Sequence, residues 1–459
     1  MSSDYDAIVI GAGQAGPSLA GRLTAAGMKV AIVERHLFGG TCVNTGCMPT
    51  KTLVASAYAA HLARRSAEYG VAIEAPVGID MKRVRARADT VSTNAREGVE
   101  KWLRGIDGVT VIQGHARFEG PGVVRVGESV LKAPRIFINV GGRANVPDMP
   151  GVGTVDYLTN TSILKLQTVP RHLVVVGGSY IGLEFAQMYR RFGAEVTVVE
   201  MAPRLIARED EDVSEAVRDI LSDEGIAVRT SATCIGFKPH ADGVAVNVDC
   251  TSGEPVVVGS HVLLAVGRRP NTDDLGLDKA GVAVDSRGYI EVDDGLSTNV
   301  PGIWAMGDCN GRGAFTHTAY NDYEIVAANL LDGDDRRVSD RISAYALYID
   351  PPLGRVGLSE TEAKQTGHKL LVSKRPMTRV GRAVEKGETK GFMKVIADAE
   401  TKEILGAAIL GVSGDETIHG ILDMMNAGVT YPVLQWAVPI HPTVSELIPT
   451  VLGDLKPIA

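Results

Sequence analysis

The chain of 459 residues is poor in cysteine and in aromatic side chains, and it carries no excess of positive charge. Five cysteines, two of them clustered, do not make the disulfide framework of a small secreted domain. Lys and Arg number 47 against 55 Asp and Glu, and the net charge of −8 offers no support for nucleic-acid or anionic-membrane binding. No run approaches the ~18 consecutive apolar residues of a membrane span. Met1–Asp6 has neither the basic start nor the apolar stretch of a secretory signal. Together these absences predict a cytoplasmic, reducing setting, in which a disulfide is more often catalytic than structural. What is present is ordinary for globular protein, with 45% hydrophobic and 22% charged residues. The length suits about three domains. Glycine, at 52 residues, is abundant, as expected of a chain with several phosphate-facing turns.

One stretch organises the rest: Gly39-Gly40-Thr41-Cys42-Val43-Asn44-Thr45-Gly46-Cys47-Met48-Pro49-Thr50-Lys51. In an unbroken helix Cys42 and Cys47 would be separated by about 7.5 Å of axial rise, whereas a disulfide brings Cα atoms to about 4.4–6.8 Å. Bonding between them therefore needs an irregular turn, for which Gly46 has the backbone freedom. By spacing alone, a redox pair and a pair of buried free thiols are equally good readings.

Upstream, the apolar run Ala7–Ile10 leads into Gly11-Ala12-Gly13-Gln14-Ala15-Gly16, then a helical pattern, then a second apolar run ending at Glu34. This is a β-α-β unit whose glycines (Gly11, Gly13, Gly16) permit a tight turn and close approach of a pyrophosphate to a helix N-terminus, with Glu34 placed to accept from a ribose. A second unit follows. Leu173–Val176 runs into Gly177-Gly178-Ser179-Tyr180-Ile181-Gly182 and, after a helix, into Val196–Glu200. Glu200 follows Gly177 at the spacing by which Glu34 follows Gly11, so the unit is duplicated and two dinucleotides are implied. Further strand-to-glycine turns fall at Gly141 and Gly267, and Gly302–Met306 leads into Gly307-Asp308, an acid at the strand end where α/β sheets bind ligands. A helix is expected over about Thr50–Ala67, and the charges of a later polar helix (Arg83, Arg85, Arg87, Arg96, Lys101) read as a solvated face. From about Ser343 the texture changes to strands alternating with amphipathic helices, ending in His441-Pro442-Thr443-Val444-Ser445-Glu446.

These features together resemble the class I pyridine nucleotide–disulfide oxidoreductases, the family of dihydrolipoamide dehydrogenase, glutathione reductase and mercuric reductase. The resemblance runs essentially end to end. It implies an α/β fold with two Rossmann-like dinucleotide-binding domains and an α+β C-terminal dimerisation domain. FAD would occupy a discontinuous domain of residues 1–145 and 270–340, a nicotinamide nucleotide residues 146–269, and residues 341–459 would form the interface of a homodimer whose subunits share the active site. By the same resemblance Gly11, Gly13, Gly16 and Glu34 meet the FAD pyrophosphate and ribose, Gly40 and Thr41 a second phosphate contact, Ala116 the adenine and Asp308 the ribityl chain. Lys51 lies beside the flavin, paired with Glu184, and Tyr180 gates the nicotinamide pocket or, alternatively, is a packed turn residue. Cys47 is the thiolate nearer the flavin, Cys42 the exposed interchange thiol, and His441, oriented by Glu446, the base from the other subunit. Cys234 and Cys250 are expected in the core and Cys309 to be structural. No resident metal is expected.

The stretches Cys42–Leu53 and Gly307–Tyr323 look closest to the mercuric-reductase-like branch. Mercuric reductases end in a vicinal cysteine pair, however, and Cys309 is the last cysteine here. No glutathione-binding set is recognisable. Glu200 favours NADH, with NADPH the alternative, because Arg204 and Arg208 follow closely. The function expected is reduction of a disulfide or a soft metal ion at the Cys42–Cys47 pair. The competing readings are a lipoamide or glutathione-type disulfide reductase, a diaphorase that bypasses the thiols, and a non-catalytic redox sensor.

Overall fold

In the computed structural model, which describes residues 2–248 and 254–458, the first glycine unit is built as its pattern requires. Strand β1 (Ala7–Ile10), helix α1 (Ala15–Ala25) and strand β2 (Val30–Glu34) form a β-α-β unit with β1 and β2 parallel, Ala7 facing Val30. The sheet has five parallel strands in the order Ile303–Ala305, Ile136–Ile138, β1, β2, Val109–Gln113. Because side chains alternate across a strand, Ile8, Ile10, Ala31 and Val33 enter one core while Ala7, Val9, Val30 and Ile32 enter another on the opposite face. A strand buried on both faces reads as an unbroken apolar run, and each such side chain contributes about 1.5–3 kcal/mol on burial.

The second unit repeats the plan: β3 (His172–Val176), the helix Tyr180–Phe192, and β4 (Glu195–Val199), again parallel. Its sheet runs Ala227–Arg229, β4, β3, His261–Leu264. The chain passes between the two sheets through a short antiparallel pair, Gly142–Ala144 with Arg268–Pro270. The C-terminal part is a six-stranded antiparallel sheet whose centre pairs Leu353–Gly357, Ile404–Leu410 and Phe392–Asp398. The fold class is as expected.

Gly11 and Gly177 are held at φ +107° and +113°, and a Cβ there would lie 2.2 Å from the Asn139 carbonyl oxygen and 2.4 Å from that of Ala265. Gly16 and Gly182 allow the helices to seat against these turns, since a Cβ on either would come within 2.1 Å of the carbonyl oxygen of Gly11 or Gly177.

Three local expectations change. The helix after the cysteines begins at Cys47 rather than Thr50 and ends at Arg64. Arg87 is not merely solvated, since it donates to the Thr52 carbonyl at 2.9 Å and ties two helices together. Cys234 is exposed, on the connection between Ala227–Arg229 and Gly236–His240, because the chain turns out of the sheet there. Cys250 lies outside the described residues. Cys309 is buried, its thiol directed at the Met306 carbonyl, as a structural cysteine should be. Among the described residues no helix is long and apolar enough to cross a membrane.

Candidate active site

The cysteine stretch is not one helix but two. Helix α2 (Gly40–Asn44) carries Cys42 and α3 (Cys47–Arg64) starts on Cys47; between them Thr45 and Gly46 leave helical geometry, Gly46 at φ −132° and ψ −119°. That break turns the two sulfurs toward each other, and the Cys42 thiol hydrogen-bonds to Cys47. Both are free thiols here. Cys42 is partly buried within α2, Cys47 stands at the first position of α3, and both line a large cavity.

The hydrogen bond separates the two titrations. The Cys47 thiol is lowered to about 6, chiefly because Cys42 donates to its thiolate; burial opposes this, and the Thr316 hydroxyl and the Lys51 charge add to it. The Cys42 thiol is pushed far up by that same bond and by burial. One sulfur is thus anionic near neutrality and the other protonated. Thr316, whose Oγ1 lies 3.2 Å from Cys47 Sγ, opens the helix α4 (Thr316–Ala327) just beyond the Gly307-Asp308 turn. Its sequence signal was a hydroxyl residue at that helix start, and it was not singled out.

Lys51 lies one turn along α3 from Cys47. Its Nζ donates to Glu184 Oε2 at 2.6 Å and sits 4.5 Å from the centroid of the Tyr348 ring, while the other Glu184 oxygen accepts from the Tyr348 amide at 3.0 Å. Glu184 is buried in the helix of the second unit, so this pair joins the two units across the cavity, and Tyr348, from the C-terminal part, braces it. An ammonium held by a single buried carboxylate keeps donors free toward the cavity.

The cavity measures about 1380 Å³. That exceeds the ~300–1,000 Å³ of a site for one small molecule and suits two extended ligands meeting at the cysteines. Gly11, Gly13, Glu34, Gly40, Thr41, Ala116, Gly141, Gly267, Gly307 and Asp308 line it with Cys42, Cys47, Lys51, Tyr180 and Glu184. Gly40 packs its bare Cα against Gly13; a Cβ there would lie 2.8 Å from the Gly13 Cα, so turn and loop close into one wall. Burial pushes the Asp308 carboxyl up against the Arg268 guanidinium, 3.5 Å away. Arg268 was missed because nothing in a Gly-Arg-Arg-Pro string announces which acid it meets. This wall of bare backbone, an acid at a strand end and the Glu34 carboxylate fits an FAD. Gly16, Gly177, Gly182 and Glu200 do not line the cavity: the first three pack beneath their turns, and Glu200 is turned back onto its own glycine loop, accepting from Gly178 N at 2.6 Å.

On the wall contributed by the second unit, the Tyr180 hydroxyl donates to Glu209 Oε1 at 3.0 Å and the Tyr345 hydroxyl to the same oxygen at 2.6 Å. Glu209 is buried and faces Arg355, whose Nε is 3.8 Å from its second oxygen. Tyr345 stacks on Phe315, which stacks on His317. Tyr180 is therefore a cavity-lining residue fixed by its hydroxyl, and Glu209 and Tyr345, which the sequence did not reveal, hold it from behind that wall.

Residues 5–322 match the family described as "Pyridine nucleotide-disulphide oxidoreductase" and residues 343–452 its dimerisation domain. The chain belongs to this family. It is 36% identical to the "Probable pyridine nucleotide-disulfide oxidoreductase RclA" of Escherichia coli over 98% of this chain and 99% of that protein. It is 35% identical to a dihydrolipoyl dehydrogenase of Thermus scotoductus (96% and 95% covered) and 34% identical to a mercuric reductase of Bacillus cereus (96% and 70%). The solved structure described as "Cu(II) complex of HOCl-induced flavoprotein disulfide reductase RclA from Escherichia coli" superposes with a TM-score of 0.89 at 34% identity, over 98% of this chain and 99% of that one.

The protein is thus an enzyme of the flavoprotein disulfide reductase type that uses FAD and a pyridine nucleotide, and its dimerisation domain makes it a homodimer. In that light the C-terminal segment is informative. Trp436, Val438 and Ile440 are 81%, 96% and 80% exposed in the single chain, an apolar stretch of the kind that marks an interface. It ends at His441, away from this chain's own cavity lining. His441 Nδ1 is 2.8 Å from Glu446 Oε2, and the loop is held by Thr443 Oγ1 donating to the Ile440 carbonyl and by Arg382 donating to the Pro442 carbonyl, each at 2.8 Å. The arrangement presents Nε2 outward on an exposed ridge. Among the described residues no group of three or more His, Cys, Asp or Glu is arranged to hold a metal ion.

Proposed function

We propose that this enzyme takes electrons from NADH and delivers them, through the Cys42–Cys47 pair, to a disulfide or a soft metal ion. The observation that carries the reading is the division of labour between the sulfurs. Cys47 is an anion near neutrality, facing the cavity, while Cys42 keeps its proton until a base removes it. FAD, held by Gly11, Gly13, Glu34, Gly40, Thr41, Ala116 and Asp308, supplies the two-electron relay between the nicotinamide and the cysteines.

The chain's own residues do the rest. Lys51, pinned by Glu184, places a positive charge where negative charge develops at the flavin edge, and Tyr180 walls the nicotinamide site. For a disulfide acceptor, His441 of the partner subunit takes the Cys42 proton, and Glu446 holds its Nδ1 so that Nε2 does so. The Cys42 thiolate attacks one substrate sulfur and expels the other as a thiolate, which His441 protonates. The Cys47 thiolate then attacks Cys42 Sγ, forming the Cys42–Cys47 disulfide and releasing the second substrate sulfur as a thiolate, which takes its proton from solvent. A soft metal ion would instead be taken as substrate between the two thiolates. The Cu(II) complex of the structural relative and the mercuric reductase relatives support that arm; the dihydrolipoyl dehydrogenase relatives support the disulfide arm. Glu200 supports NADH: a carboxylate accepts from a 2′-hydroxyl and repels a 2′-phosphate. Arg204, a cation that would offset it, is spent on the Ala207 and Glu209 carbonyls at 3.2 Å each. We assign residues 1–145 and 270–340 to the FAD domain, 146–269 to the nucleotide domain and 341–459 to the interface.

The test is an anaerobic titration of the purified enzyme with NADH, followed by lipoamide, glutathione disulfide, Hg(II) or Cu(II). A long-wavelength thiolate–flavin band at the two-electron level is expected, discharged fastest by the true acceptor. Direct bleaching without that band would take the cysteines out of the circuit.

A further inference from the structure

A second cavity of about 370 Å³ adjoins the first, sharing Arg208, Arg268, Tyr289, Asp308, Ala314 and Phe315 with it. Its lining holds six arginines (Arg208, Arg268, Arg269, Arg287, Arg312 and Arg341) against one carboxylate, Asp308. That concentration stands out in a chain whose net charge is −8. Four of the six are partnered: Arg268 by Asp308 at 3.5 Å, Arg287 by Asp285 at 3.3 Å, Arg312 by Asp294 at 2.8 Å, and Arg341 by Asp322. Arg208 and Arg269 make no ion pair among the described residues, and Arg341 Nη1 is buried without an acceptor.

The floor is backbone. A Cβ at Gly313 would lie 2.5 Å from Thr318 Oγ1 and 3.3 Å from Arg341 Nη1, so only glycine leaves it open. The amides of Gly313 and Ala314 donate to no acceptor among the described residues. Guanidinium forks and free amides converging on one small volume are complementary to the several oxygens of a phosphate-type anion. The volume is near the lower end of the small-ligand range, too small for a dinucleotide. No residue of the Gly177–Gly182 turn, where the helix N-terminus would hold a dinucleotide's pyrophosphate, lines it.

We propose that this pocket is a binding site for a free multivalent oxyanion of the phosphate or pyrophosphate type. Such an occupant would lie against Tyr345 and Phe315, the same aromatic wall that fixes Tyr180. The two sources of phosphate, a free anion and the phosphates of a dinucleotide lying in the main cavity, are separated by competition.

The experiment is calorimetric titration of the FAD-loaded dimer with inorganic pyrophosphate at low ionic strength, with and without saturating NAD⁺, on the native chain and on Arg208→Gln and Arg269→Gln. Neither substitution removes an ion pair, and the flavin spectrum and melting temperature check that each variant is folded. The expected result is one saturable site per chain, weakened about tenfold or more by each substitution, as loss of one charge-assisted contact implies, and changed less than about twofold by NAD⁺. Absence of saturable binding, or binding indifferent to both substitutions, overturns the proposal. So does displacement by NAD⁺, which would make the pocket part of the dinucleotide's own site.

Discussion

Glu34 and Glu200 end equivalent strands and make the same two hydrogen bonds. Glu34 accepts from Ala12 N at 2.9 Å and from His36 N at 2.7 Å; Glu200 accepts from Gly178 N at 2.6 Å and from Ala202 N at 2.7 Å. Each carboxylate thus ties its strand end to the second residue of its own glycine turn and to the amide two residues further on. The duplication extends from sequence spacing to individual lone pairs. The carboxylate is a structural brace for the turn.

The Glu200→Ser variant should therefore show two effects. Preference moves toward NADPH, by roughly tenfold in the ratio of kcat/KM values, as one repelling charge is removed. The melting temperature falls as well, because two partly buried amides lose their acceptor. Steady-state kinetics with both nucleotides decide it: an unchanged ratio would mean other residues set the choice.

Thr316→Val keeps the shape beside Cys47 and deletes the hydroxyl. Since that hydroxyl favours the thiolate, the Cys47 midpoint near 6 should move upward by roughly one pH unit. The long-wavelength band of the two-electron-reduced enzyme, followed against pH, reports it. No movement would assign the low value to Cys42 and Lys51 alone.

Replacing His441 with Ala should slow reduction of a disulfide acceptor by about 10²–10⁴-fold, the usual worth of a general acid–base group. Flavin reduction by NADH should be unaffected. Stopped-flow measurement of the two half-reactions separates them, and equal losses in both would remove the role.

Asp210 clamps the second β-α-β unit to the C-terminal sheet. It accepts from the Glu360 and Thr361 amides, each at 3.0 Å, and pairs with Lys394 at 3.2 Å. Burial opposes its ionisation, but these donors win and hold the carboxyl at about 2, below its ordinary 3.8. A carboxyl lowered on folding stabilises fully above its unfolded value and loses that contribution as pH falls through its folded one. The clamp therefore weakens between about pH 4 and pH 2. Asp210→Ala should cost about 1–3 kcal/mol at neutral pH, as leaving buried amides without their acceptor does, since Lys394 keeps Glu360 at 2.6 Å and Asp212 at 3.3 Å, and less at pH 2. Unfolding midpoints of both proteins across that range provide the check; a loss independent of pH would rule out the ionised clamp.

The sequence by itself determined the backbone plan and most of the cavity wall. Glycine turns, strand-terminal acids and the CxxxxC break are set by local chain geometry: a φ near +110° at Gly11 or a bare Cα at Gly40 is a property of one position and its immediate neighbours. The break at Gly46 belongs to the same class. Only the tertiary structure decided which distant groups meet those positions. Thr316 reaches Cys47 across 269 residues, Tyr345 reaches Glu209 across 136, and Asp210 reaches Thr361 across 151. None of these pairs has a spacing to read, because each depends on how separate sheets dock, and docking follows from side-chain packing over whole faces. The gathering of six arginines around one pocket has the same origin.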